Sequence, residues 1–202
     1  MSTYDNLLAV AHVLAAFTRP WFISGGWAID LFIGAMTRPH EDIEIGIWRA
    51  DQDVLRDYLA GWELRKAIRG PQGGAYVPWE PAERLELPVH QVLARRGDAT
   101  PAEMEFFLNE VEDGQWQFRR NLAFTRPADT IVVQGRDGLP YLAPEIQLLY
   151  KARWHRPKDE HDFAQAQAQF STVQRTWLRA ALQANHPDDP WIAALASGRA
   201  ER

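Results

Sequence analysis

The sequence contains no cysteine. That excludes disulfides and thiolate chemistry, and it leaves any metal site to oxygen or imidazole ligands. No apolar run approaches membrane-spanning length, so no membrane partner is expected. A basic excess is also absent, because the formal net charge is −5. Proteins that grip a nucleic-acid backbone usually carry a net basic surface to replace counterions, so nucleic acid is not an expected partner. The opening residues, Met1-Ser2-Thr3-Tyr4-Asp5, lack a basic stretch followed by an apolar run. No secretory signal is expected, and the cytoplasm is the default compartment. Internal repeats, low-complexity segments and obvious linkers are missing too.

What is there is ordinary folded material. The chain has 202 residues, of which 46% are hydrophobic and 24% charged. That length supports one sizeable domain, or a core with a smaller second one. The nine tryptophans are a high count. Tryptophan can wall a cleft, but it is also plain core material, and the core is the expected place for most of them. The mild acidity would suit a small cationic substrate without demanding one.

Periodicity divides the chain in two. Residues 5–17 carry an amphipathic helical stripe closed by Pro20. Trp21-Phe22-Ile23 reads as a buried strand, Ser24-Gly25-Gly26 as a tight turn, and Trp27 to Ile33 as a helix stopped by Gly34. Ile43, Ile45 and Ile47 alternate with Asp42, Glu44 and Gly46, which is the period of a strand. Asp51 suits the cap of a helix reaching Leu59. Trp62–Ile68 and Ala75–Trp79 suit a strand pair across a Gly/Pro-rich turn. Leu85–Leu93 is ambiguous. Met104–Leu108, Trp116–Arg120 and Ile131–Val133 read as further strands. From Pro144 the pattern turns helical, with segments at Asp159–Phe170, Ser171–Asn185 and Asp189–Leu195. The expected architecture is α/β (α+β): a small mixed sheet with helices over residues 1–142, then a helical C-terminal part over 143–202. A cleft should lie between them.

Three features carry chemistry. A Gly25-Gly26 pair at a strand-to-helix turn lets backbone approach a phosphate, with helix N–H groups aimed at it; alone it fits an empty tight turn better. Asp42 and Glu44, two apart on a strand, point to one face while Ile43 and Ile45 enter the core. Like charges so placed repel unless a cation lies between them, and magnesium prefers hard oxygen. Alone, the pair also fits a half-solvated strand. Glu105 sits in the apolar run Met104-Glu105-Phe106-Phe107-Leu108, where a carboxylate is costly to bury without a partner. Beside the Asp42/Glu44 strand it would complete a three-carboxylate site.

Gly25-Gly26-Trp27-Ala28-Ile29-Asp30, followed by Thr37-Arg38-Pro39-His40-Glu41-Asp42-Ile43-Glu44-Ile45, resembles the aminoglycoside and lincosamide nucleotidyltransferases of the polymerase-β-like superfamily. Likeness is close over residues 21–48. It extends more weakly through Glu105 to Lys151-x-Arg153 and Lys158-Asp159-x-x-Asp162. Two departures stand out. The family mostly has Asp where this chain has Glu44, and it often has Ser after the glycines, where this chain has Trp27.

The resemblance implies a transferase that moves a nucleoside monophosphate, with AMP the leading choice, from an NTP to a hydroxyl of a small molecule. An aminoglycoside-like or lincosamide-like acceptor, and hence antibiotic resistance, is the analogy. Ser24, Gly25 and Gly26 would hold the triphosphate. Asp42 and Glu44 would bind Mg2+, with Glu105 as third carboxylate and Glu86 its rival. Lys151 and Lys158, then Arg38, are the candidate cations for the triphosphate, although a solvated basic helix face is the plain alternative. Asp159 and Asp162 fit helix N-terminal charges or partners of Lys and Arg better than metal ligands. His90 is a candidate for the acceptor pocket, as are Trp79 and Trp116. His40 suits either a loop-shaping or a phosphate-touching role. Two other readings stay open: a nucleotidyltransferase toxin acting on tRNA, marked by a basic groove at the cleft, and a nucleotide-binding protein without turnover.

Overall fold

The structure is a computed structural model, and it describes residues 4–70, 73–135 and 137–196. Among the described residues, ten strands form one mixed sheet and seven helices pack around it. The sheet is larger than the small one expected. Two strands have little periodic signal: β8 (Asn121–Pro127) is mostly exposed, and β10 (Pro140–Leu142) is three residues long. The turn residues Pro71 and Gln72 lie outside the described part.

The sheet centre is built from β1 (Trp21–Ile23), β2 (Glu44–Trp48) and β6 (Glu103–Glu112). β2 runs antiparallel to β1 and parallel to β6. Ile45 and Ile47 are fully buried on one face. Gly46 faces the other way and leaves room for the Phe22 ring, which a side chain there would strike. On one flank, β5 (Gln91–Arg95), β3 (Glu63–Gly70) and β4 (Gly73–Pro78) continue outward from β6 by antiparallel pairing. On the other flank, β10 pairs parallel with β1 and antiparallel with β9 (Val132–Gln134). β7 (Gln115–Phe118) pairs with the far end of β6 and with β8.

The first helix, α1 (Asp5–Val13), is shorter than its apolar stripe suggested. α2 spans Gly25–Ile33, so the two glycines form its first turn rather than a loop before it. Gly34, with φ 81°, closes it through a backbone bond to Asp30. After α3 (Gln52–Tyr58) the strands follow, and the helices resume with α4 (Pro144–Lys151), α5 (Pro157–Gln167), α6 (Thr172–Asn185) and α7 (Trp191–Ala196). Ser171 caps α6 through a reciprocal bond with Gln174, a capping box. Asp51 gives α3 no side-chain cap and instead faces Arg19. Every residue of α4 is buried, including Glu145, Gln147 and Lys151. α4 therefore threads the protein between α2, α5 and α6. One apolar cluster joins sheet and helices, from Leu7 through Phe22, Ile45 and Phe106 to Leu149 and Leu195. No described helix is long and apolar enough to cross a membrane.

Candidate active site

Parallel pairing of β2 with β6 sets Glu44 directly beside Glu105. Asp42 precedes β2 and is exposed; the Glu105 N–H donates to the Ile43 carbonyl at 3.0 Å, which ties this entry segment to β6. Asp42 therefore lies outside the strand, in contrast to the alternation read from sequence. The like charges act on one another. Burial raises the Glu44 pKa to about 7, Asp42 and Glu105 add to the rise, and Lys151 and Lys158 oppose it. Burial also raises the Glu105 pKa, against hydrogen bonds from Tyr76 and Gln91 that hold it down. Among the described residues, no three His, Asp or Glu side chains form a ready metal-holding group.

The glycine turn packs against these acids. Gly25 adopts φ 69°, which disfavours any side chain, and a Cβ there would sit 2.6 Å from the Glu44 carboxylate. A Cβ on Gly26 would collide with the Arg38 guanidinium and the His40 ring. The glycines thus make room for the protein's own charged groups. The Gly25 N–H donates to Gln147 Oε1 at 2.8 Å, and the Ser24 N–H to the Glu44 carbonyl at 2.8 Å. Ser24 Oγ is buried with no hydrogen-bond partner among the described residues. It lines a recess of about 60 Å³ together with Glu44, Phe107, Asn109, Gln147 and Tyr150.

Opposite the carboxylates stands a set of cations held by two fully buried aspartates. Asp162 receives Arg38 at 2.8 and 2.9 Å through both oxygens, and Lys151 Nζ lies 2.9 Å from it. Asp159 takes Lys151 Nζ at 3.2 Å and the Arg156 guanidinium at 2.8 Å, and accepts the Arg156 N–H at the start of α5. Burial alone would raise both aspartate pKa values, but the guanidinium and ammonium partners hold them below the ordinary range. These aspartates are partners of Lys and Arg, as their helical position implied. The loop bearing Arg38 is wrapped around a third buried acid. Asp30 accepts from the Thr37 N–H and hydroxyl, and meets His40 Nε2 at 2.6 Å. His40 therefore shapes the loop.

A cleft of about 380 Å³ brings together Gly26, Arg38, Asp42, Glu44, Glu105, His90, Lys151 and Lys158. It also takes in residues that sequence reasoning passed over: Gln91, Arg119, Arg120, Gln147, Trp154 and Arg156. The adjacent Arg119-Arg120 pair in an acidic chain was a usable signal; Gln147 and Trp154 offered none. At the cleft edge, His90 Nδ1–H donates to the Pro88 carbonyl at 2.7 Å. Glu86 is exposed, lies 3.4 Å from Arg84 and lines none of the cleft, so it does not stand beside Glu44 as the rival third carboxylate. Trp79 and Trp116 are core residues rather than cleft walls. A second cavity of about 230 Å³ shares Asp42 and Glu105 with the cleft and has Glu41, Glu103 and Trp27 in its wall.

The sequence model of the aminoglycoside-2''-adenylyltransferase family matches residues 6–166. A search of curated proteins found no match. Solved structures share the fold at low identity. The solution structure of antibiotic-resistance factor ANT(2'')-Ia aligns with TM-score 0.57 at 16% identity, covering 90% of this chain and 91% of that one. ANT(2")-Ia in complex with adenylyl-2"-tobramycin aligns with TM-score 0.54 at 18% identity, covering 90% and 98%. The lincomycin-bound lincosamide adenylyltransferase LnuA aligns with TM-score 0.53 at 16% identity, covering 82% and 97%. With a family match over most of its length, and carboxylates facing cations across one cleft, the chain belongs to the aminoglycoside-2''-adenylyltransferase family of nucleotidyltransferases.

Proposed function

We propose that the chain transfers AMP from ATP to a hydroxyl of a small polyhydroxylated amine, with release of pyrophosphate. One observation carries this reading: Asp42 and Glu105 line both a cation-rich cleft and a carboxylate-rich cavity. The cleft, with Lys151, Lys158, Arg38, Arg119, Arg120 and Arg156, suits a triphosphate. The cavity, with Glu41 and Glu103 beside Asp42 and Glu105, suits an amine-bearing acceptor. The two substrates meet at the shared carboxylates. The division at residues 142/143 follows the same line in this reading, the front part supplying Asp42, Glu44 and Glu105 and the helical part supplying Lys151, Arg156 and Lys158.

The hydroxyl oxygen attacks the α-phosphorus in line. An O–P bond forms to the acceptor, the bond to the β-phosphate oxygen breaks, and pyrophosphate leaves. Glu105 is placed to take the hydroxyl proton, being a carboxylate at the acceptor side whose affinity for protons burial increases. Lys151 and Arg38 are fixed by Asp162 before substrate arrives, so they stabilise charge without reorganising. Ser24 Oγ, buried and without a hydrogen-bond partner among the described residues, is available to a phosphate oxygen at the start of α2.

The residues present fit Mg2+. Asp42, Glu44 and Glu105 offer only hard carboxylate oxygen, and their mutual repulsion favours a cation between them. Magnesium commonly takes one or two protein carboxylates and completes its shell with substrate phosphates and water, so a preformed three-residue cage is not required. Bound there, it would offset the negative charge of the transferring phosphoryl group.

A second reading has one feature in its favour. Arg119, Arg120 and Arg153 line a further recess beside the cleft, the kind of basic surface a tRNA end would need. Incubation with each NTP, magnesium and a panel of polyhydroxylated amines, with tRNA as a parallel acceptor, separates the readings by mass spectrometry. A nucleotide adduct on an amine with pyrophosphate release is expected. An adduct on tRNA alone moves the assignment to RNA, and nucleotide binding with no adduct leaves a binding protein without turnover.

A further inference from the structure

Glu105 is the only one of the three candidate carboxylates with both oxygens engaged by hydrogen-bond donors among the described residues, and the donors come from outside the central strands. Tyr76 Oη donates to Oε1 at 2.9 Å. Gln91 Nε2 donates to Oε2 at 2.9 Å and also to Tyr76 Oη at 2.6 Å. The three side chains close a ring of hydrogen bonds.

Sheet register explains how an edge strand reaches the site. Tyr76 on β4 pairs with Ala67 on β3. Ala67 lies one step beyond the Lys66–Val92 pair of β3 and β5, which sets it across from Gln91. Gln91 pairs with Phe107, two residues from Glu105 on the same face of β6. Paired residues share a face, so Tyr76, Ala67, Gln91 and Glu105 stand on one surface of the sheet. The methyl group of Ala67 leaves the path across β3 open to the tyrosine ring. Each Glu105 oxygen accepts one bond and keeps acceptor capacity facing Asp42 and Glu44.

We propose that Tyr76 and Gln91 are positioning residues that fix the rotamer of Glu105 for reaction. The proposal rests on the reading of Glu105 as a site carboxylate. Partly exposed glutamates otherwise sample several rotamers, and a proton acceptor or ligand held loosely loses most of its advantage. Outer-sphere partners of this kind typically account for about 10- to 100-fold in activity or metal affinity.

The test uses Tyr76→Phe, which keeps the ring and removes only the donor, alongside Gln91→Ala and Glu105→Ala. Both positioning variants are expected to lower kcat by about 10- to 100-fold. KM for the NTP should stay within roughly twofold, and the melting temperature within about 2 °C, the range of a neutral surface change. A crystal structure of Tyr76→Phe should place the Glu105 carboxylate in a different rotamer. Unchanged kcat in both variants, while Glu105→Ala loses activity, overturns the positioning role and leaves the reading of Glu105 intact. Loss of kcat that only parallels loss of melting temperature, with the rotamer unmoved, overturns it as well. Full activity in Glu105→Ala sinks the reading beneath it.

Discussion

Glu44 and Glu105 face one another across a parallel strand pair, in register, with a glycine turn pressed against the first and a hydrogen-bonded ring around the second. Two carboxylates so close, with Asp42 alongside, repel in the ligand-free protein, and this adds to the rise in the Glu44 pKa that burial chiefly causes. Glu44→Gln removes one of the charges and should stabilise the protein without divalent ions by on the order of 1 kcal/mol, or about 2–4 °C for a chain of this size. With magnesium and ATP present the ranking should reverse, because only the native chain keeps its full set of ligands. Thermal melts with and without magnesium-ATP check this. A variant that is less stable in both conditions contradicts it.

Asp42 is exposed and makes no described ion pair, so its replacement should spare the fold. Asp42→Asn is expected to change stability by less than about 0.5 kcal/mol. Pyrophosphate release should nevertheless fall by more than about 100-fold, beyond what losing an outer-sphere partner costs. Full activity in this variant would remove Asp42 from the site.

Asp162 is fully buried and holds both Arg38 and Lys151. Removing one member of a buried ion pair leaves the others uncompensated, at a cost of about 3–5 kcal/mol. Asp162→Asn keeps shape and some hydrogen bonding, so the lower end is expected, read from urea unfolding. KM for ATP should rise as well, because Arg38 loses its carboxylate partner and Lys151 keeps only Asp159 of its two. A stable variant with unchanged KM would show that these cations are held by something else.

Much of this was readable in the residues, and the exceptions have physical causes. The alternation of Ile45 and Ile47 with Glu44 and Gly46 located β2, because a period of two is a property of the chain itself, but it carried the strand back over Asp42, which lies just before it. The Lys158-Asp159-x-x-Asp162 spacing pointed to helix N-terminal charges or partners of Lys and Arg, while their burial came only from the packing of α5. The convergence of Glu44 with Glu105 depended on register between strands far apart in sequence, which periodicity does not encode. Gln147 and Trp154 carry no motif, and only the path of α4 brings them to the cleft. Glu86 looked equivalent to Glu105 in its apolar setting, yet it lies in the irregular segment before β5, and its side chain points to solvent and Arg84.

Gly25 carries two demands at once. Its φ of 69° suits glycine, and the space a Cβ would take is filled by the Glu44 carboxylate. Gly25→Ala should therefore cost about 1–3 kcal/mol from the backbone strain alone. It should also lower activity by displacing Glu44, whereas Gly138→Ala, also at positive φ but with open space around it, should cost stability only. Equal effects of the two on activity would count against the packing of Glu44 on the turn.

His155 bridges the last helices. Its Nδ1 lies 2.5 Å from Glu160 and its Nε2 3.0 Å from Asp189, with Trp191 against the ring. Burial alone would lower its pKa, but hydrogen bonds and charge from Glu160 and Asp189 raise it. The folded state thus binds the proton more tightly than the unfolded state. This contribution to stability is full below the ordinary histidine pKa and is lost as pH rises through the raised folded value. Melting temperature should decline across that interval in the native chain and less in His155→Gln. The same decline in both would place the pH dependence elsewhere.

The carboxylate-lined cavity gives a separate test of where the acceptor binds. Glu41 is exposed, lines this cavity and does not line the cation-bearing cleft. An exposed ion pair contributes about 0.2–1 kcal/mol, so Glu41→Gln should raise the KM of an amine acceptor only about 1.4- to fivefold. The KM of ATP should not rise, since a lost negative charge cannot weaken a triphosphate. Added salt should shrink the difference between native and variant, as screening removes what the mutation removed. If the KM of ATP falls while that of the acceptor is unchanged, the two substrates have been assigned to the wrong sides of Asp42 and Glu105.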